Sequence, residues 1–292
     1  MPAAIQLPLL FGLLAAAVTS IGLIVVARRR DWSAEYANLF AVAAGGMLLT
    51  LVLVHIAPEA FERSSRAPLL IAIGFFGGLS ISVIVRQLAA GPRSDSKATS
   101  ADAVAPILAI AIHSFLDGIV YALTFAASFE AGMFAALALI LHEFPEGVIA
   151  FAILRRCGVS NRNAFVFAFL AAAATTPLGV ISSAPFVYGF APDIVGELFA
   201  VSAGLLLFVA LGPLLAPLRS QPPARGATAL MLGVIFALGL TYSPLNSHRH
   251  TDTLGMNAVS EASLSASLRG GGRRIVRGVS DVGPDTYGWV EE

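Results

Sequence analysis

Eight long apolar runs dominate residues 1–242 and leave few folds open to the chain. They fall at 5–27, 38–61, 68–90, 104–128, 131–154, 163–189, 194–217 and 226–242. About 20 helical residues cross the roughly 30 Å of hydrocarbon in a bilayer. Lipid offers the backbone no hydrogen-bond partner, so each run must close its own ladder as a helix. The alternating polarity of a membrane strand is absent. The expected fold is all-α: a polytopic membrane helix bundle of eight transmembrane helices. The composition agrees, with 57% hydrophobic and 12% charged residues, far from the average of soluble domains.

Charge sets the expected orientation. With the N-terminus outside, the cytoplasmic connections carry Arg28, Arg29, Arg30, Arg86, Arg93, Lys97, Arg155, Arg156, Arg162, Arg219 and Arg225. The outer loops carry only Arg63 and Arg66. An excess of basic residues marks the cytoplasmic side, so both termini are expected outside, in a cell (inner) membrane. The arginines follow the first apolar run rather than precede it, which reads as a retained helix and not a cleaved signal peptide. Residues 91–103 read as a polar inner loop, and 1–242 as one eight-helix domain. From 243 to 292 the chain turns polar, with His248 and His250 in a segment expected to be a disordered tail. Net charge is zero, so nothing implies attraction to nucleic acid. The single cysteine, Cys157, has no partner for an intrachain disulfide.

Within the apolar runs stand polar residues that need a reason. An ionisable group at mid-bilayer costs about 2.5–3.5 kcal/mol on insertion scales. Yet "HSFLDG" (His113 to Gly118) and "HEFPEG" (His142 to Gly147) repeat one pattern 29 residues apart in spans four and five. Residues i and i+4 share a helix face, so His113 stands over Asp117 and His142 over Glu146. Ser114 and Glu143 lie one step around and border the same space. Imidazole with carboxylate is a common ligand set for zinc and similar cations, and two carboxylates offset one divalent charge. Three facing carboxylates also favour taking up protons when the metal leaves, which suggests a proton-linked return. The bland alternative is an interhelical ion pair for either cassette, and a hydrogen bond to a neighbouring helix for His55. Gly118 and Gly147 allow close helix approach. Pro145 should kink span five and Pro177 should break span six.

At these residues the sequence resembles the ZIP (Zrt/Irt-like) family of divalent-metal transporters. "HSFLDG" is similar to the family's helix-four signature and "HEFPEG" to its helix-five signature. "LVLVHIAPEAF" (Leu51 to Phe61) is similar to its helix-two H-x-x-P-E-A. The resemblance implies a main metal site of His55, His113, Asp117, His142 and Glu146, with Ser114 and Glu143 bordering a second. It implies import of metal into the cytoplasm by alternating access, a mobile helix block carrying the site past a scaffold. Zinc is the foremost cargo, with Fe2+, Mn2+ and Cd2+ also accepted by such ligands, and no catalytic cofactor. Expected partners are divalent metal ions and the lipid bilayer, with a homodimer admissible. Ser114 and Leu116 depart from the helix-four pattern, and span six offers Thr175 and Thr176 but no acid, so the second site lacks a ligand. The rival reading is an intramembrane zinc-dependent hydrolase. "HEFPE" superficially matches H-E-x-x-H, but the second histidine is an acid, and that reading leaves the twin cassettes unexplained.

Overall fold

The computed structural model describes residues 3–28, 34–89, 100–187 and 194–242. Among these there are ten α-helices and no strand. In chain order they are α1 (Ala3–Ala27), α2 (Ala34–Leu51), α3 (Ala57–Arg63), α4 (Ala67–Ala89) and α5 (Ser100–Ala127). There follow α6 (Phe129–Arg156), α7 (Asn161–Ala168), α8 (Thr175–Ser183), α9 (Ile194–Val209) and α10 (Pro223–Thr241). Six helical stretches are long and apolar enough to cross a membrane, or seven if the bent α6 counts as one span. The apolar part of α10, Pro223–Gly239, is shorter. The eight runs of the sequence thus correspond to six or seven full-length spans and one shorter helix. The polar tail from 243 lies outside the described residues, as do 91–99 of the expected inner loop. The rest of that loop is helical: α5 begins at Ser100, and Asp102 in its first turn suits the positive end of the helix dipole.

Prolines shape the spans. A proline lacks the N–H that would bond the carbonyl four residues back, and its ring crowds that carbonyl. Upstream of Pro58 the ladder widens to a π-helical turn over Val52–Ile56, with Ala57 N–H donating to Val52 O. Pro177 follows a second π-helical turn at Phe169–Ala173, closed by Ala174 N–H on Phe169 O at 2.9 Å. This is the break expected in span six. A third such turn, Ala210–Leu214, contains Pro213. Pro145 behaves as expected too: α6 bends by 44° between Phe129–Leu137 and His142–Arg156, in the turn preceding a proline that has no N–H to donate.

Helix pairs meet at glycines. Where α5 crosses α8, a Cβ on Gly118 would strike Thr176 O, and one on Gly179 would strike Phe115 O. Gly147 on α6 faces Thr19 O of α1, while Gly22 on α1 faces Phe144 O. Gly74 and Gly204 do the same for α4 and α9, and Gly46 and Gly233 for α2 and α10. Small residues let backbones approach where no hydrophobic force drives helices together in lipid. The pairs α1–α6 and α5–α8 pack on one another, and α5 also lies against α4 and α9. That makes α5 the central helix, and Asp117, His113 and Ser114 on it are among the most buried residues. Large side chains such as Leu69, Ile73 and Phe76 of α4 point outward, as suits contact with acyl chains.

The arginine-bearing ends gather together. Arg86 pairs with Asp102 at 2.9 Å, Arg156 donates to Pro213 O, and Asn161 donates to Ala27 O at 3.2 Å. At the other end Arg66 pairs with Glu197 at 3.0 Å and Arg63 with Glu59 at 2.6 Å. The packing account predicts that Gly204→Val, whose Cβ would meet Ile71 O and Gly74 Cα, overpacks the α4–α9 crossing by about 1–3 kcal/mol. Thermal unfolding in detergent should move down by several degrees; an unchanged midpoint would contradict close backbone contact there.

Candidate metal centre

The two cassettes face each other across α5 and α6. His113 is on α5, and Asp117 follows one turn later. His142 and Glu146 stand just after the bend in α6, so the proline-induced change of direction aims them at α5. His142 Nε2 and Asp117 Oδ2 are 2.9 Å apart, and His113 Nε2 lies 3.6 Å from the same oxygen. Glu146 Oε2 is 3.9 Å from His113 Nε2. The two imidazoles are tilted at 33° with centroids 5.6 Å apart. Ligand atoms of His113, Asp117 and His142 lie within 4.8 Å of one another, all three buried.

The remaining carboxylate oxygens have few donors. Glu143 Oε1 and Glu146 Oε2 are buried without a hydrogen bond. Burying an unpaired carboxylate is strongly unfavourable unless a proton or a cation satisfies it. The ligand atoms of His113, Asp117 and His142 form a nitrogen and oxygen donor set of the kind that holds a divalent cation. Beside the cluster is a small cavity lined by Leu48, Leu51, Ile149 and Leu206, with His113, His142 and Glu146 at its polar edge.

The other expected ligands are placed differently. Ser114 donates to Ile110 O at 3.0 Å and to Glu146 Oε1, so it holds the carboxylate of the opposite cassette. Glu143 turns toward α1, where Thr19 Oγ1 donates to its Oε2 at 2.5 Å. Ser114 and Glu143 thus bond to different helices. His55 sits half-buried in the π-helical turn between α2 and α3 and is not one of the three residues whose ligand atoms converge. Its neighbour Ile56 lines the cavity. Such widened turns recur at functional positions.

Three contributors carry almost no signal in the sequence. Thr19 on α1 and Ser202 on α9, which is hydrogen-bonded to His113 Nδ1, lie in apolar runs where hydroxyls are common. A Ser or Thr in a helix can satisfy itself on the carbonyl four residues back, as Thr19 does on Ala15 O at 3.0 Å. Tyr121, one turn beyond Asp117, is fully buried with its hydroxyl unbonded. The only clue to each was a hydroxyl in mid-span.

Comparison with known proteins places this geometry in context. The family model described as ZIP zinc transporter matches residues 94–241. The chain is similar to "Zinc transporter foi" of Drosophila melanogaster, 29% identical over 139 residues, 46% of this chain and 19% of that protein. It is similar to "Zinc transporter ZIP10" of Homo sapiens, 33% identical over 105 residues, 36% of this chain and 12% of that one. "Metal cation symporter ZIP8" of Rattus norvegicus is 32% identical over 101 residues, 35% of this chain and 21% of that protein. The chain thus spans about a fifth or less of the length of these relatives.

The bond from Thr19 to Glu143 yields a prediction. Thr19→Val keeps the shape and leaves a buried carboxylate oxygen without its donor, a loss of about 1–3 kcal/mol. The purified variant should unfold at lower temperature than Thr19→Ser, which keeps the hydroxyl. Equal midpoints for the two would show that the bond contributes nothing.

Proposed function

The chain belongs to the ZIP zinc transporter family, and from that premise we propose that it carries a divalent metal cation into the cytoplasm by alternating access. Zinc is the foremost cargo, with iron, manganese and cadmium as competitors. The cation sits among His113, Asp117, His142 and Glu146, with His55 completing the main site from the span formed by α2 and α3. Glu143 and Ser114 border a second, less complete position. The bundle crosses the membrane eight times with both termini outside, so that the arginine-bearing ends face the cytoplasm.

One observation carries the reading: ligand atoms of His113, Asp117 and His142 gather within 4.8 Å inside an apolar bundle. Such a cluster has no structural necessity, because an apolar packing of the same volume would avoid the desolvation of its charges. Burial supports transport over surface sensing, since the ligands are 2%, 1% and 7% exposed. The chemistry also suits release. An ion held by two imidazoles and carboxylates that lose their mutual geometry on a helix shift is bound in one arrangement and freed in another.

A zinc hydrolase is not favoured. In an H-E-x-x-H site the glutamate after the first histidine activates water; here Glu143 is engaged by Thr19 on α1. The place of the second histidine is taken by Glu146.

Flux in proteoliposomes tests the proposal, with zinc, iron, manganese and cadmium in competition. The wild-type chain should take up zinc, and Asp117→Ala, which removes the oxygen shared by both imidazoles, should lower uptake by at least tenfold, on the order of 1.4 kcal/mol. Zinc uptake by Asp117→Ala at the wild-type rate would sink the site assignment.

A further inference from the structure

One side chain at the metal centre belongs to neither cassette. Ser202 lies midway along α9 in the run "LFAVSAGLLLF" and is 1% exposed. Thr124 and Ser183 return to their own helix, to Val120 O at 2.8 Å and Gly179 O at 2.7 Å, and Ser114 and Thr19 do so as well as reaching carboxylates of α6. Ser202 instead makes its hydrogen bond across the helix boundary, to His113 Nδ1. The opposite nitrogen of the same ring, Nε2, faces Asp117 Oδ2 at 3.6 Å and Glu146 Oε2 at 3.9 Å.

We propose that Ser202 is a positioning residue of the metal site: its hydroxyl anchors His113 Nδ1 and presents Nε2 to the cation. The inference rests on the transport-site reading above and adds a residue from a helix that contributes no ligand. An imidazole binds a metal through one nitrogen, and the partner of the other nitrogen sets which one is free and how the ring is turned. With Nδ1 held by Ser202, the lone pair of Nε2 is directed at the point where Asp117 and His142 already converge. Without that partner the ring can rotate about its side-chain bonds toward the cavity beside it, which Leu206 of the same helix lines.

The location of the anchor has a second consequence. α9 packs along α4, whereas His142 and Glu146 come from α6, which packs along α1. The bond from Ser202 to His113 therefore makes ligand presentation depend on the position of α5 against α9. A displacement of α5 along α9 withdraws the anchor from His113, so the anchored and released forms of this ligand differ in affinity for the same ion.

The test separates the hydroxyl from the shape. Ser202→Thr keeps a hydroxyl, and Ser202→Val has the same shape without one. In equilibrium zinc titrations of the purified, folded proteins, Ser202→Val should bind at least about tenfold more weakly than Ser202→Thr, the usual scale for losing an outer-shell partner. In vesicles its KM for zinc should rise by a similar factor while its maximal rate stays at that of Ser202→Thr. If the added methyl prevents folding, Ser202→Ala against the wild-type chain makes the same comparison. Equal zinc affinity with and without the hydroxyl overturns the inference, as does a loss of maximal rate with KM unmoved. His113→Ala is measured alongside. If it binds zinc like the wild-type chain, the transport-site reading fails and this inference with it; if it binds weakly while the Thr and Val variants match, only the role of Ser202 is lost.

Discussion

The 2.9 Å contact between His142 Nε2 and Asp117 Oδ2 is the joint on which the rest of the bundle depends. It lies in the middle of an apolar structure, where an unpaired carboxylate would be strongly disfavoured. Several neighbouring polar groups are arranged around it. His113 approaches the same oxygen, Ser114 secures Glu146 from the facing helix, Thr19 secures Glu143 from α1, and Ser202 holds the far side of His113. The network still leaves oxygens of Glu143 and Glu146 without donors. A buried network with such unsatisfied oxygens is a poor stabiliser, and under the proposed function the transported ion supplies what the protein withholds.

The helix geometry follows from the need to bring these groups together without water. Pro145 redirects α6 so that the segment carrying His142 and Glu146 meets α5. Glycines at Gly118 and Gly147 then bring α8 and α1 close behind the two cassettes, which is how Thr19 comes within reach of Glu143. The π-helical turns near Pro58, Pro177 and Pro213 loosen three further spans at single points. Rigid pairs joined at loosened points suit the rearrangement that the proposed alternating access requires, because the backbone bonds given up at each break are already few.

Much of this was legible in the residues. The apolar runs foretold the helices to within a few positions, since lipid permits few alternatives. The i, i+4 spacing of His113 with Asp117 and His142 with Glu146 placed each pair on one face, and the bend at Pro145 followed from its missing donor. The number of full-length spans was less legible: the run at 226–242 is too short to be equated with the others by composition, and α6 is bent. Ser100 to Ala103 looked like loop by polarity, yet Asp102 favours a helix start and pairs with Arg86. Thr19 and Ser202 were missed because hydroxyls satisfy themselves within helices and so leave no anomaly in an apolar run. His55 stood out as strongly as the other two intramembrane histidines, but the widened turn that carries it sets its direction, and such a turn has no mark in the sequence beyond the nearby Pro58.

The central claim is that one divalent cation is held by imidazoles and carboxylates contributed from both cassettes. X-ray absorption at the zinc edge, on purified protein loaded with one equivalent of zinc, addresses it directly. The account predicts a shell of nitrogen and oxygen only, at about 2.0–2.2 Å, with the multiple-scattering signature of at least two imidazoles that falls to one fewer in His142→Ala. A sulfur ligand at about 2.3 Å, or an imidazole count unchanged by His142→Ala, would contradict it.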